Sequence, residues 1–160
     1  MSTKRQEGFS LIELLIVVAI IGIIAAIAIP NLLSSKRAAN EGSAQSSIRT
    51  IHSSEATYKS TAGDGNYGTL DDLKNDNLVD SVLGSGSKSG YDFVATPTNT
   101  GNPTVFYATA NPSNVSAVTR TGNRSFCIAE DGVLRGKVSD TPATDHDNCV
   151  DSTAWPPLGN

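Results

Sequence analysis

A chain of 160 residues with a net charge of −4 has room for one globular domain and one long helix. Its acidic balance argues against nucleic acid as the main partner, although copies assembled side by side can still form basic patches. Glycine, serine, threonine and asparagine crowd the chain after residue 60, and Trp occurs once, so the globular part is loop-rich with a modest core.

Lys4 and Arg5 stand just ahead of an apolar run, the arrangement that keeps an N-terminus in the cytoplasm; Glu7 dilutes that charge without cancelling it. From Gly8 to Pro30 the chain is apolar except for one acid, Glu13, and from Leu14 to Ile29 no charged or strongly polar side chain occurs. As helix, Leu14–Ile29 is about 24 Å long and Phe9–Pro30 about 32 Å. The longer stretch spans a bilayer, while the shorter is marginal alone. An acid at mid-membrane costs roughly 2.5–3.5 kcal/mol, less near the interface, so Glu13 needs a reason to be there.

Gly8, Phe9, Ser10, Leu11, Ile12 and Glu13 resemble the class III signal of type IV pilins and type II secretion pseudopilins. That signal is a basic leader ending in Gly, then Phe, then Glu as the fifth mature residue. The match covers about the first third of the chain; the rest is similar only in architecture. The resemblance implies a leader, residues 1–8, cut after Gly8 by a prepilin peptidase that also methylates the new amine of Phe9. The subunit then waits in the inner membrane as a single-pass precursor with its head outside the cytoplasm. An ATPase-driven assembly platform lifts it into an extracellular pilus, a helical homopolymer cored by the apolar helices. In that low-dielectric core the Glu13 carboxylate seeks a cation, and the Phe9 amine of the same or a neighbouring subunit is the nearest. The bland alternative is an interfacial acid reaching the headgroups. The family also implies that Gly22 to Pro30 loses helical structure in the filament; otherwise the two are ordinary irregularities of a membrane helix. Taking Lys4, Arg5 and Glu7 from twelve bases and sixteen acids leaves ten and fifteen in the mature chain.

Residues 9–30 form the membrane or filament-core half of the helix and 31–62 an amphipathic half. Ala44, Ile48, Ile51 and Tyr58 fall at helical spacing, with Lys36, Arg37, Glu41, Gln45, Arg49 and Glu55 between them. One helix is expected from Ser10 to Thr61, kinked near Gly22 and Pro30. Ala62-Gly63-Asp64-Gly65-Asn66 ends it. Residues 63–90 read as a variable connection with a short helix capped by Thr69, with Asp72 three residues on. Gly84 to Gly90 is flexible by composition. Residues 91–136 hold four apolar stretches: Tyr91–Thr96, Val105–Ala110, Ser125–Ala129 and Gly132–Gly136. Asp131-Gly132 signals a hairpin between the last two. They predict a three- or four-stranded antiparallel sheet, which needs the Ile48–Ile51–Tyr58 stripe to cover one face. The fold class is therefore α+β, a helical spine with a small sheet packed across its distal half.

Residues 137–160 form a C-terminal loop. An exported chain with two late cysteines most often pairs them, so Cys127 and Cys149 are expected to tie this loop to the third strand, a bond that pilins resemble; two free thiols are the alternative. Asp140, Asp145, Asp147 and Asp151 crowd the loop. Major pseudopilins bind calcium near their C-terminus, but the spacing matches no EF-hand, and a solvated acidic loop is the simpler reading. Asn114-Val115-Ser116 and Asn123-Arg124-Ser125 match a glycosylation pattern that is common by chance. Neither His52 nor His146 is spaced to join a Ser or Cys as nucleophile and base, so no enzymatic role and no cofactor are expected.

The resemblance implies a filament subunit, a major pilin. The rivals are a pseudopilin of a type II secretion system, a minor pilin or tip adhesin, and a membrane-tethered monomeric binding module. An ordinary secretory signal competes for the N-terminus, with Ala26-Ile27-Ala28 as its cleavage site. N-terminal sequencing of the exported product is expected to read from Phe9; a start at Ile29 would establish the secretory alternative.

Overall fold

The computed structural model describes residues 9–159, so the predicted leader and its cleavage residue Gly8 lie outside the described residues. The chain divides into two compact units, one ending at Ser35 and one beginning at Lys36. Helix α1, Leu11–Ser60, contributes to both and agrees with the expected bounds to within one residue at each end. Within the first unit it continues past Gly22 and Pro30. Proline cannot donate a backbone hydrogen bond, and side chains beside it engage nearby carbonyls instead. Asn31 Nδ2 donates to the Ile27 carbonyl at 3.1 Å, and Ser35 Oγ to that of Asn31 at 3.0 Å.

In the second unit α1 buries Ala44, Ser47, Ile48, Ile51, Ser54 and Glu55, successive positions three or four apart on one face. The helix ends through the Gly63 amide on the Tyr58 carbonyl, 2.8 Å, and the Gly65 amide on that of Lys59, 3.0 Å. Asp64 and Gly65 follow with φ of 48° and 86°, the left-handed termination that the glycine-rich stretch predicts. Helix α2, Leu70–Asn75, opens with the expected capping box: the Asp72 amide donates to the Thr69 side chain, and the Thr69 amide to the Asp72 carboxylate at 2.8 Å. Helix α3, Ser81–Gly84, is capped by Asp80, which accepts from the amides of Val82 and Leu83.

The sheet is an antiparallel meander in chain order: β1 Ser87–Lys88, β2 Tyr91–Thr98, β3 Val105–Pro112, β4 Arg124–Ala129 and β5 Arg135–Val138. It has one strand more than the expected upper count. The extra strand is β1, two residues in the stretch expected to be flexible, turned back onto Tyr91 and Asp92 through Ser89 and Gly90 at positive φ. The last strand starts later than Gly132. Gly132 adopts a φ of 71°, and Asp131 Oδ1 accepts the Val133 amide at 3.0 Å, so the turn consumes these residues before pairing begins.

Alternation along the strands sends Tyr91, Phe93, Ala95, Phe106, Ala108, Ala110, Phe126 and Ile128 into one core with Ile48 and Ile51 of α1. Leu70, Leu73, Val79 and Leu83 close the same core from the connecting region. At roughly 1.5–3 kcal/mol for each large side chain removed from water, this face carries most of the stability of the unit.

The opposite face of the sheet is also covered. Cys127, Ala129, Ala143, Cys149 and Trp155 form a second cluster under the C-terminal segment, with Tyr107 against it. Cys127 and Cys149 are disulfide-bonded, with Cα atoms 6.0 Å apart and both residues fully buried. Closing a loop with this sequence separation of 22 stabilises the fold by about 3 kcal/mol through lost unfolded-state entropy. Helix α4, His146–Val150, carries Cys149. Trp155 Nε1 donates to Asn148 Oδ1 at 3.1 Å, and the Lys137 ammonium lies 4.3 Å over the Trp155 ring.

His146 anchors the start of α4. Its Nε2 is 2.9 Å from Glu130 Oε1 and its Nδ1 is 3.1 Å from Asp147 Oδ1. Partial burial pulls the imidazole pKa down, but the carboxylates of Asp147 and Glu130 outweigh it and hold it above its ordinary 6.5. A raised histidine adds stability that is complete below the unfolded value and is lost as pH climbs through the folded one. His146→Gln is therefore expected to lower the melting temperature by roughly 2–4 °C at pH 6 and by less at pH 9, read by circular dichroism.

Candidate assembly surface

In the first unit the described residues of α1 are largely exposed. Phe9 is 91% exposed and Leu11 79%, and the large apolar residues that follow, from Ile12 to Leu32, are mostly more than half exposed. A contiguous apolar surface of this extent is not stable in water and marks a site for lipid or protein. By length and composition α1 can cross a membrane. At Gly22 an added Cβ would meet nothing within 4 Å, so no contact inside the chain demands glycine there.

Glu13 is the only charged side chain from Phe9 to Ser35. It sits in the first turn of α1, and its Oε2 accepts the Ser10 amide at 2.9 Å. Ser10 and Glu13 thus stand as N-cap and third helical residue, the backbone half of a capping box. A carboxylate there also meets the positive end of the helix dipole. In the uncut chain the Phe9 nitrogen is an amide without charge.

The tail aspartates do not converge. Asp140 Oδ2 accepts from Arg120 Nη2 at 2.8 Å, and Asp147 Oδ1 faces His146 Nδ1. Asp145 Oδ1 accepts the Asn148 amide at 2.7 Å, capping α4, and Asp151 Oδ1 accepts the Thr153 amide and hydroxyl at 2.8 and 2.6 Å. Backbone and hydroxyl donors hold the Asp145 and Asp151 carboxyls below the usual range, as expected of acids used as caps and turns. Among the described residues no group of three or more His, Cys, Asp or Glu is placed to hold a metal ion. His52 Nε2 is 3.5 Å from the Glu130 carbonyl oxygen, and His146 faces the Glu130 and Asp147 carboxylates.

One residue escapes a reading based on apolar periodicity. Glu55 was counted with the polar face of α1, yet it is fully buried. Its phase, seven residues after Ile48 and four after Ile51, is the signal that would have found it.

The comparisons concern the same N-terminal stretch. Residues 3–29 match the prokaryotic N-terminal methylation motif. The type IV major pilin protein PilA of Myxococcus xanthus is 43% identical over 54 residues, 34% of this chain and 24% of that protein. The type II secretion system core protein G of Aeromonas hydrophila is 37% identical over 59 residues, 37% of this chain and 41% of that protein. The type IV wide pilus major component PilA4 of Thermus thermophilus is 58% identical over 38 residues, 24% of this chain and 29% of that protein. The matched stretch thus spans less than half the length of these relatives. No solved structure matches the chain. The motif and the α+β architecture define a protein with a methylation-type apolar helix and a sheet head. Over its N-terminal third the chain resembles type IV pilins and type II secretion pseudopilins, with which it shares the methylation motif.

Because the four aspartates each have a separate partner, adding EDTA is expected to leave the melting temperature unchanged. A fall of several degrees that calcium reverses would show a cation site in the tail.

Proposed function

We propose that the chain is the major structural subunit of a type IV pilus-like surface filament. The observation that carries this reading is the uncovered apolar face of α1 with a single acid one turn from its start. Such a helix needs lipid before assembly and other helices after it, and a polymer of identical helices supplies the second. Residues 1–8 act as the leader, cut between Gly8 and Phe9, and Phe9 is the methylated terminus. Residues 9–30 serve as membrane anchor and then filament core, and 31–62 as the spine of the head. Residues 63–90 form the connection, 91–136 the sheet and 137–160 the disulfide-tied tail. The precursor lies across the inner membrane with its head outside the cytoplasm. A prepilin peptidase and an ATPase-driven platform act on it there, and the filament grows by addition of further copies.

Cleavage changes what Glu13 can do. The new Phe9 amine is a cation within a turn or so of the carboxylate, or on a neighbouring copy in the polymer. An ion pair formed where water is excluded fixes register, because a carboxylate left alone there is strongly unfavourable. Gly22, free of contacts in the single chain, and Pro30 are the points at which the helix can yield during packing.

A second reading is a pseudopilin of a type II secretion system, favoured by the match to core protein G over the same stretch. Deletion separates the two: loss of sheared surface fibres supports the pilus, and loss of secretion with fibres intact supports the pseudopilin. Glu13→Ala is expected to leave membrane insertion and cleavage intact and to cut fibre yield by more than about tenfold, the factor carried by 1.4 kcal/mol per subunit. Quantifying pelleted fibres against total subunit by immunoblot checks it, and a normal yield would remove Glu13 from assembly.

A further inference from the structure

Glu55 lies on the face of α1 turned into the core and is completely buried. Its Oε2 accepts the Gly68 amide at 2.9 Å, and its Oε1 has no hydrogen-bond partner. The bond ties the end of the α1–α2 connection back to α1. Gly68 approaches closely enough that a Cβ there would stand 3.0 Å from the Tyr58 ring. The rest of the connection is held at its start by the Gly63 and Gly65 amides on the Tyr58 and Lys59 carbonyls, at Tyr67 by the Phe106 ring, 4.6 Å between centroids, and from the β2–β3 loop. Asn99 Oδ1 accepts the Tyr67 amide at 3.1 Å, Asn99 Nδ2 donates to the Tyr67 carbonyl at 2.9 Å, and Thr104 Oγ1 donates to that of Gly65 at 3.1 Å.

The charges around Glu55 do not favour its ionised form. From α2, Asp72 acts on it directly. Desolvation first, and then Asp72, Asp76 at the α2 C-cap and Glu55, raise the pKa of the Tyr58 hydroxyl. The neighbouring cation on α1, Lys59, is turned to the Tyr67 ring, 4.2 Å from its centroid. His52, one turn earlier, points to the Glu130 carbonyl.

We propose that Glu55 is a proton-operated latch: its neutral carboxyl keeps the connection from Thr61 to Thr69 docked on α1, and its ionisation releases that segment together with the β2–β3 loop bonded to it. The latch operates within the head and stands whether or not the chain forms filaments.

Geometry and energetics agree in direction. An ionised carboxylate keeps one donor, Gly68, and leaves its second oxygen dry, whereas opening the segment lets water reach both. Burial is the main cause that raises the Glu55 pKa to about 7; the Gly68 amide opposes it, and Asp72 adds to it. An acid with a raised folded value favours the closed state at low pH and loses that preference as pH rises from its ordinary value towards the folded one. If the open segment restores the ordinary 4.5, the open population grows on the order of fifty-fold between pH 5 and pH 8 and levels off above about pH 7.

The test uses the full chain in detergent micelles. Amide hydrogen exchange is followed by mass spectrometry from pH 5 to pH 8.5 and corrected for the intrinsic pH dependence of exchange. Peptides covering residues 61–69 and 99–104 are expected to lose protection with rising pH, with most of the change complete by about pH 7, while peptides from β3 and β4 keep theirs. Glu55→Gln is expected to remove the pH dependence, and Asp72→Asn, which takes away the nearest like charge, to move the midpoint to lower pH. Protection independent of pH in the unaltered chain would overturn the latch. So would a Glu55→Gln variant that tracks the unaltered chain. If Glu55→Gln does not fold, an unmoved midpoint in Asp72→Asn does the same.

Discussion

Among the described residues the apolar side chains from Phe9 to Leu32 are largely exposed, and their demand for a cover is the constraint that sets the rest. Fifteen large apolar residues on this stretch are half exposed or more. At even 1.5 kcal/mol each, their removal from water is worth upwards of 20 kcal/mol. That exceeds the 5–15 kcal/mol by which a folded domain of this kind outlasts its unfolded chain. The stretch therefore calls for an environment that excludes water. Glu13 is tolerated in it because the Ser10 amide and the start of the helix dipole receive the carboxylate before any other ion is present.

The head is built so that this demand does not disturb it. Its core lies between the later turns of α1 and one face of the sheet, closed by the short helices of the connection. The other face is sealed by the tail, held by the disulfide, by Trp155 and by the His146 contacts. A five-stranded sheet covered by α1 on one face and by the tail over β3 and β4 on the other has a core of its own. The same helix can thus serve a folded head at one end and an uncovered apolar surface at the other.

Much of this was legible in the residues. The run from Leu14 to Ile29, the spacing of Ile48, Ile51 and Tyr58, the Thr69–Asp72 box and the alternation around Phe93 are local patterns, and local patterns survive folding. The polar positions that fold inward were not legible. Ser47, Ser54 and Glu55 share the buried face of α1, but each found its partner or its isolation only through residues far along the chain, such as Leu78 for Ser54 and Gly68 for Glu55. The two-residue strand β1 was hidden because its pairing comes from turn geometry at Ser89 and Gly90 rather than from side-chain character. The tail's packing on the outer sheet face was hidden for a similar reason: composition marks it as acidic loop, and only Trp155 and Cys149 reveal where it sits. In the candidate site, Gly8, Phe9 and Glu13 come from the resemblance of this stretch to a class III signal, and the Ser10–Glu13 bond needed coordinates.

The meander ends in edges that offer little to a second sheet. β1 is two residues long, and at the other border Arg135 of β5 bridges to Pro157 in the tail, whose proline has no amide to give. Where many heads are held side by side at very high local concentration, strands that invite pairing would fuse neighbours into continuous cross-β ribbons. Borders this short and this blocked leave crowded heads little to pair with, so close neighbours would remain separate bodies.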